Sequence, residues 1–205
     1  MTDFSGVFWL GGSPCSGKSS VAQRLKAKGG GVYAVDAFEE EHLERARPEA
    51  EPEMCAWKAM DADGIWLRPV AEQVRSELAF YRERFPMILD DIATRSRPLL
   101  VEGAALLPEL LADIGVGRRQ AFFMVPTWTF QMEHYSRRPW VAGVLRGSSA
   151  PEQAFDRWMR RDHAFGNAVA VGAASLGWPL LRVDGGVGLA LMERAVADHF
   201  ALGAG

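Results

Sequence analysis

The residues best suited to chemistry in this sequence stand together near its start. Gly12-Ser13-Pro14-Cys15-Ser16-Gly17-Lys18-Ser19 fits the spacing G-x-x-x-x-G-K-[ST], and Ser20 follows it. Glycines at the fixed positions let backbone N–H groups curl around an anion with no Cβ in the way. A helix beginning just after the loop adds partial positive charge at its N-terminus. The lysine is a mobile point charge for the outer phosphates of a nucleotide, and the hydroxyl beside it can ligate Mg²⁺. Lysine is scarce: of 23 basic residues only Lys18, Lys26, Lys28 and Lys58 are lysine, the rest being arginine. A glycine-rich turn that merely caps a helix has no need of Lys18.

Such a loop has to be held between a strand and a helix, and the surrounding sequence supplies both. Val7-Phe8-Trp9-Leu10 is a short apolar run of the kind buried in parallel sheets. Residues 17–28 carry a helical period, which Gly29-Gly30-Gly31 should stop. Further apolar runs predict strands at 32–35, 98–101, 121–125 and 180–183. Helices are expected at 66–95 (kinked at Pro86), 104–114, 127–136, 152–176 and 188–200. Residues 38–64, rich in glutamate and interrupted by Pro48 and Pro52, read as a mobile acidic excursion with little apolar period. Within it, Asp61-Ala62-Asp63-Gly64 reads as a turn. Five buried strands separated by helices imply a parallel sheet covered on both faces, an α/β fold whose ligands sit beyond the carboxyl ends of the strands.

Acidic and basic residues fall at those ends. Asp36 closes the second strand, where a carboxylate could take a proton from an attacking hydroxyl or hold water around Mg²⁺; capping a helix at Ala37 is the simpler role. Glu102-Gly103 closes the third strand. Met87-Ile88-Leu89-Asp90-Asp91 also reads as apolar residues followed by acid, so Asp90 or Asp91 remains a rival to Glu102. Arg137, Arg138, Arg146, Arg157, Arg160 and Arg161 cluster between the fourth and fifth strands. Planar guanidinium forks suit the charge that spreads over a transferring phosphoryl group; pairing with Glu152, Asp156 and Asp162 is the alternative.

The loop and its strand–helix context resemble the P-loop kinases of small molecules, a group that includes nucleoside and nucleotide kinases, chloramphenicol phosphotransferase and zeta toxins. The resemblance implies a three-layer αβα P-loop NTPase fold with strand order 2-3-1-4-5, and MgATP as donor. It implies residues 12–20 as the nucleotide loop, with Lys18 on the phosphates and Ser19 on Mg²⁺. Asp36 is expected to bind and activate the acceptor hydroxyl, and Glu102 to stand near the metal as the Walker B acid. A lid over 137–165 would bring Arg138, Arg161 and Arg146 onto ATP, and Gly185, after the fifth strand, would help cup the adenine. The acceptor pocket is expected within 38–95, with Phe38, His42, Trp57, Trp66, Arg68, Arg75 and Tyr81 as candidate walls.

Composition bounds the rest. The 205 residues, 48% hydrophobic and 24% charged, suit one globular domain with an insertion. A net charge of −3 gives no global field for nucleic acid. Two cysteines, Cys15 and Cys55, make neither a disulfide framework nor a zinc site. Met1-Thr2-Asp3-Phe4 lacks a basic region followed by a long apolar run, so no signal peptide is expected, and no apolar run reaches the ~20 residues a bilayer needs. A cytoplasmic, membrane-free protein is expected, as monomer or homodimer, with a small-molecule acceptor as partner. The expected activity is ATP-dependent transfer to a hydroxyl; a zeta-toxin-like nucleotide-sugar kinase and a non-catalytic nucleotide switch are the alternatives.

Overall fold

The structure, a computed structural model, describes residues 4–27 and 31–202. Strands are β1 (Val7–Gly12), β2 (Gly31–Ala34), β3 (Leu99–Glu102), β4 (Ala121–Pro126) and β5 (Leu180–Val183). Helices are α1 (Lys18–Lys26), α2 (Glu39–Arg45), α3 (Pro52–Ala59), α4 (Ala62–Trp66), α5 (Val70–Ala93), α6 (Pro108–Asp113), α7 (Trp128–Ser136), α8 (Val141–Val144), α9 (Pro151–Ser175) and α10 (Leu189–His199). The strands form one five-stranded sheet in the order β2-β3-β1-β4-β5, and every neighbouring pair is parallel.

The alternation of side chains along each strand builds two cores from one sheet. Val7 and Trp9 of β1, Leu99 and Val101 of β3, and Phe123 and Val125 of β4 join a cluster with Ile88 of α5 and Phe165 of α9. Their neighbours Leu10, Leu100, Phe122 and Met124 join Val21 of α1 and Val196 of α10 in a second cluster. Helices therefore cover both faces, as near-continuous apolar strands require. Among the described residues no helix is long and apolar enough to cross a membrane.

The structure corrects the sequence reading in three places. Residues 38–64 are largely helical rather than irregular: Glu39, Glu40 and Glu41 occupy the electropositive first turn of α2, and Pro52 opens the first turn of α3. Their few apolar residues suffice, because Leu43, Met54 and Trp66 are all buried. The turn expected at 61–64 opens a helix, since the Asp61 carboxylate accepts from Gly64 N–H at 2.7 Å as the N-cap of α4. The helix expected from 104 begins only at Pro108, because proline fits a first turn but disfavours helical backbone in the residue before it. Residues 104–107 are buried and non-helical. Helix α5 continues through Pro86 as a single element. Helix α1 ends at Lys26; residues 28–30, where its glycine stop was expected to begin, and residues 1–3 of the expected leaderless start lie outside the described residues.

Candidate functional site

The glycine-rich loop joins the central strand β1 to α1. Its shape depends on left-handed backbone at Cys15 (φ 64°) and Gly17 (φ 86°), and on Gly12 at φ 130°. A Cβ at Gly12 would lie 1.9 Å from the Met124 carbonyl oxygen, so the loop leaves the sheet at a point only glycine can occupy. Gly17 offers no side-chain cap to α1, and the first turn of that helix carries no acid. The leading N–H groups of α1 thus have no acceptor within the helix. Lys18 is 5% exposed. Its Nζ donates to the Ser13 carbonyl at 2.7 Å and the Ser16 hydroxyl at 3.4 Å. Burial lowers the Lys18 pKa, opposed by Asp36 and Glu102. Among the described residues Ser13 Oγ is buried without a hydrogen-bond partner.

The carboxylates separate by place. Glu102, 3% exposed at the end of β3, accepts from the Ser19 hydroxyl at 3.2 Å. Burial raises its pKa and Asp36 adds to the effect, while Lys18 and Ser19 oppose it. Asp36 is exposed in a short 3₁₀ turn, residues 35–38, instead of capping a helix. The rival acids Asp90 and Asp91 belong to α5. Asp91 accepts from Tyr33 OH at 2.6 Å and pairs with His42 at 2.8 Å and Arg45 at 3.0 Å. It braces α5 against β2 and α2, whereas Glu102 meets the loop.

A cavity of about 380 Å³ opens beside Pro14 and Asp36. Helix α5 supplies Gln73, Ser76, Glu77, Phe80 and Tyr81; α9 supplies Trp158, Arg161 and Asp162. Of the walls expected from sequence, Trp57, Trp66, Arg68 and Tyr81 line it. The other three do not: Phe38 stacks on Tyr33 at 4.6 Å, His42 is buried against Arg84 and Asp91, and Arg75 is exposed. Burial pushes the Glu77 carboxyl up to about 7; Asp162 adds repulsion, and Arg161 and the Tyr81 hydroxyl oppose it. Arg161 Nε lies 3.3 Å from Glu77 and its Nη2 2.7 Å from Asp162, so one guanidinium serves two buried acids.

The arginines expected over 137–165 divide among different tasks. From residue 151 onward the segment belongs to α9, whose inner face is buried through Ala154, Trp158, Met159 and Phe165. Arg161 forms part of the cavity wall, over the Trp66 ring at 5.2 Å. Arg157 donates to the Leu67 carbonyl, and the exposed Arg137 and Arg160 pair with Glu133 and Asp156 along their own helices. Arg138 does reach the loop: its Nη2 is 3.4 Å from Cys15 Sγ, and its guanidinium lies over Tyr135 at 4.7 Å. Arg146 is exposed just after α8. Gly185 stands in the turn after β5 at φ 90°, where Gly186 N–H donates to Asp184 at 2.8 Å. It lies beyond the carboxyl end of the sheet and does not line the cavity.

Sequence reasoning missed Gln73, Ser76, Glu77 and Asp162. A signal existed for the first three: with Phe80 and Tyr81 they recur at the three-and-four spacing of one helix face, polar residues on a stripe that should otherwise be apolar. Asp162 was read only as a partner for the nearby arginines; its hydrogen bond from Tyr135, at 3.0 Å, and its place in the cavity wall are assembled by the fold.

The crystal structure of TT1252 from Thermus thermophilus is similar to this chain, with a TM-score of 0.50 and 20% identity over 97% of this chain and 98% of that one. The likeness is one of fold. Neither a family model nor a curated protein matches the sequence.

Proposed function

We propose that the chain is an ATP-dependent kinase, built on a P-loop NTPase scaffold, that transfers the γ-phosphoryl group to a hydroxyl of a small molecule. The observation that carries this reading is the 3.2 Å hydrogen bond between Ser19 and Glu102, a hydroxyl and a buried carboxylate brought together from distant parts of the sequence beside Lys18. Among the described residues no three metal-binding side chains cluster. Mg²⁺ does not require them, since one or two protein oxygens suffice when phosphate oxygens and water complete its octahedron. Ser19 and Glu102 fit that donor set. When bound, Mg²⁺ neutralises charge that develops on the phosphates.

The chain's own groups divide the remaining work. Lys18, now folded back onto Ser13 and Ser16, can turn its ammonium outward to phosphate oxygens. The uncapped N-terminus of α1 adds backbone donors. Asp36, exposed at the cavity's edge, accepts the proton of the acceptor hydroxyl as the new P–O bond forms. Arg138, stacked and without a carboxylate partner among the described residues, is the arginine best placed to meet transferring charge.

The test is an ATP-consumption screen over nucleosides, sugars, cofactors and antibiotics, run with Lys18→Ala and Asp36→Asn. At least one acceptor should raise consumption above basal hydrolysis, and both variants should lose the increment, Asp36→Asn by about 10²-fold or more. Tight ATP binding with no acceptor-dependent turnover would favour a nucleotide switch instead. Full acceptor-dependent turnover in Asp36→Asn would remove that residue from the mechanism.

A further inference from the structure

Asp36 lines the cavity, yet among the described residues no hydrogen bond or ion pair holds its carboxylate. Its place is therefore set by the backbone of the 35–38 turn. Arg84 of α5 meets that turn at both ends. The side chain is 0% exposed. Its Nη2 donates to the Val35 carbonyl at 2.6 Å, its Nη1 to Glu39 Oε2 at 2.8 Å and its Nε to His42 Nδ1 at 2.9 Å. Val35 opens the turn and Glu39 follows its last residue. Glu39 and His42 stand three residues apart on α2, so one helix face presents both to the guanidinium.

The guanidinium is itself fixed. Because Nδ1 accepts from Arg84, the proton of His42 lies on Nε2, which donates to Asp91 Oδ2 at 2.8 Å. Asp91 in turn accepts from Tyr33 OH and Arg45. Burial raises the Glu39 pKa, and Arg84 is the foremost group opposing it. Stability alone does not call for an arginine here, since apolar residues of similar volume often hold two elements together as well as a buried ion pair does. What they cannot do is fix a carbonyl, a carboxylate and an imidazole around one rigid plane.

A second observation concerns the same turn. Ala34, just before it, is in register with Glu102 on β3. A Cβ at Gly103 would stand 2.6 Å from Val35 Cβ and 3.4 Å from Asp36 Oδ1. The turn therefore closes on the chain beside Glu102 only because residue 103 has no side chain.

We infer that Arg84 is a positioning residue for phosphoryl transfer: it clamps both ends of the 35–38 turn and so aims the Asp36 carboxylate into the cavity beside Pro14 of the phosphate loop. Arg84 does not line the cavity and touches no substrate. The inference rests on the kinase reading for the task of Asp36, while the clamp itself can be measured without it.

The test compares Arg84→Lys, which keeps the charge but replaces a fork with a point donor, with Gly103→Ala, which leaves the Arg84 donors in place and crowds Val35. Amide hydrogen exchange is read first. The Glu39 N–H, which donates to the Asp36 carbonyl, should exchange at least about tenfold faster in Arg84→Lys, with β1 amides unchanged. Turnover is then read over the panel of nucleosides, sugars, cofactors and antibiotics, on the compound that gives the parent its largest increment. Both variants should lower its kcat about tenfold or more while MgATP affinity and Mg²⁺ dependence hold. In an Asp36→Asn background neither should lower kcat further, because a residue acting through Asp36 has nothing left to aim. A residue that only supports the fold lowers kcat in both backgrounds, and that result overturns the inference. So does unchanged Glu39 exchange in Arg84→Lys. Where Arg84→Lys does not fold, Gly103→Ala decides, and full kcat in that variant overturns the inference. If the parent shows no acceptor-dependent turnover, the kinase reading falls instead, and the Glu39 exchange rate still decides whether Arg84 holds the turn.

Discussion

Replacing Glu77 with glutamine tests the electrostatics of the cavity wall directly. Glu77 and Asp162 share Arg161, and Tyr81 OH donates to Glu77 Oε1 at 3.1 Å. With both acids ionised the cluster carries one uncompensated negative charge in a buried place; with Glu77 protonated it carries none. Its carboxyl rises from the ordinary 4.5 to about 7, chiefly through burial. A folded-state pKa above the unfolded one means the fold binds the extra proton. The group's penalty is therefore absent below about pH 4.5, grows as pH rises toward 7, and is fully present above. That displacement sets a ceiling of ~3 kcal/mol, and water reaching the cavity reduces the expectation to about 1–3 kcal/mol. Glu77→Gln keeps the volume and an acceptor for Tyr81, and leaves Arg161 paired with Asp162. In urea titrations the variant should match the parent at pH 5 and exceed its stability by about 1–3 kcal/mol at pH 8. Subtracting parent from variant cancels the other titrating groups. A variant less stable than the parent at pH 8, or a difference that does not change with pH, refutes the reasoning.

Two paired substitutions separate roles that sequence alone leaves open. Asp91→Asn should lower stability by about 1–3 kcal/mol, since it weakens the brace to Tyr33, His42 and Arg45, yet spare MgATP affinity; Glu102→Gln should do the reverse, raising the Mg²⁺ concentration needed for half-maximal ATP turnover. Arg161→Met should cost about 3–5 kcal/mol in urea unfolding, because two buried acids lose their shared cation. Arg138→Met should leave stability within about 1 kcal/mol and lower kcat for acceptor-dependent turnover by about 10²-fold or more. The second pair fails if Arg138→Met destabilises as much as Arg161→Met, or if its turnover is unchanged.

What was legible in the sequence follows the range of the physics involved. The strands could be read because each is a short, mostly apolar run, buried almost throughout in β1, β3 and β4, and that signal is local to the run: Leu180–Val183 is placed as expected, and the others shift by a residue or two. The loop could be read because its glycines, Lys18 and Ser19 answer to backbone geometry within a few residues. Residues 38–64 could not, because α2, α3 and α4 are too short to show a period. They are held instead by caps, acidic first turns and a handful of buried anchors.

The arginine cluster was misleading for a related reason. Sequence proximity suggested six residues with one purpose, but an arginine's role is decided by which carboxylates the fold brings to it. Arg161 lies next to Asp162 in sequence, yet its second partner is Glu77, on α5. Each guanidinium occupied in this way is withdrawn from phosphate chemistry and from counter-charge for an anionic acceptor. The same pairing that removes Arg161 from a lid therefore shapes specificity. It leaves Arg138, with no carboxylate partner among the described residues, against the loop, while the two acids that share Arg161 make the cavity wall unfavourable for an acceptor that already carries phosphate.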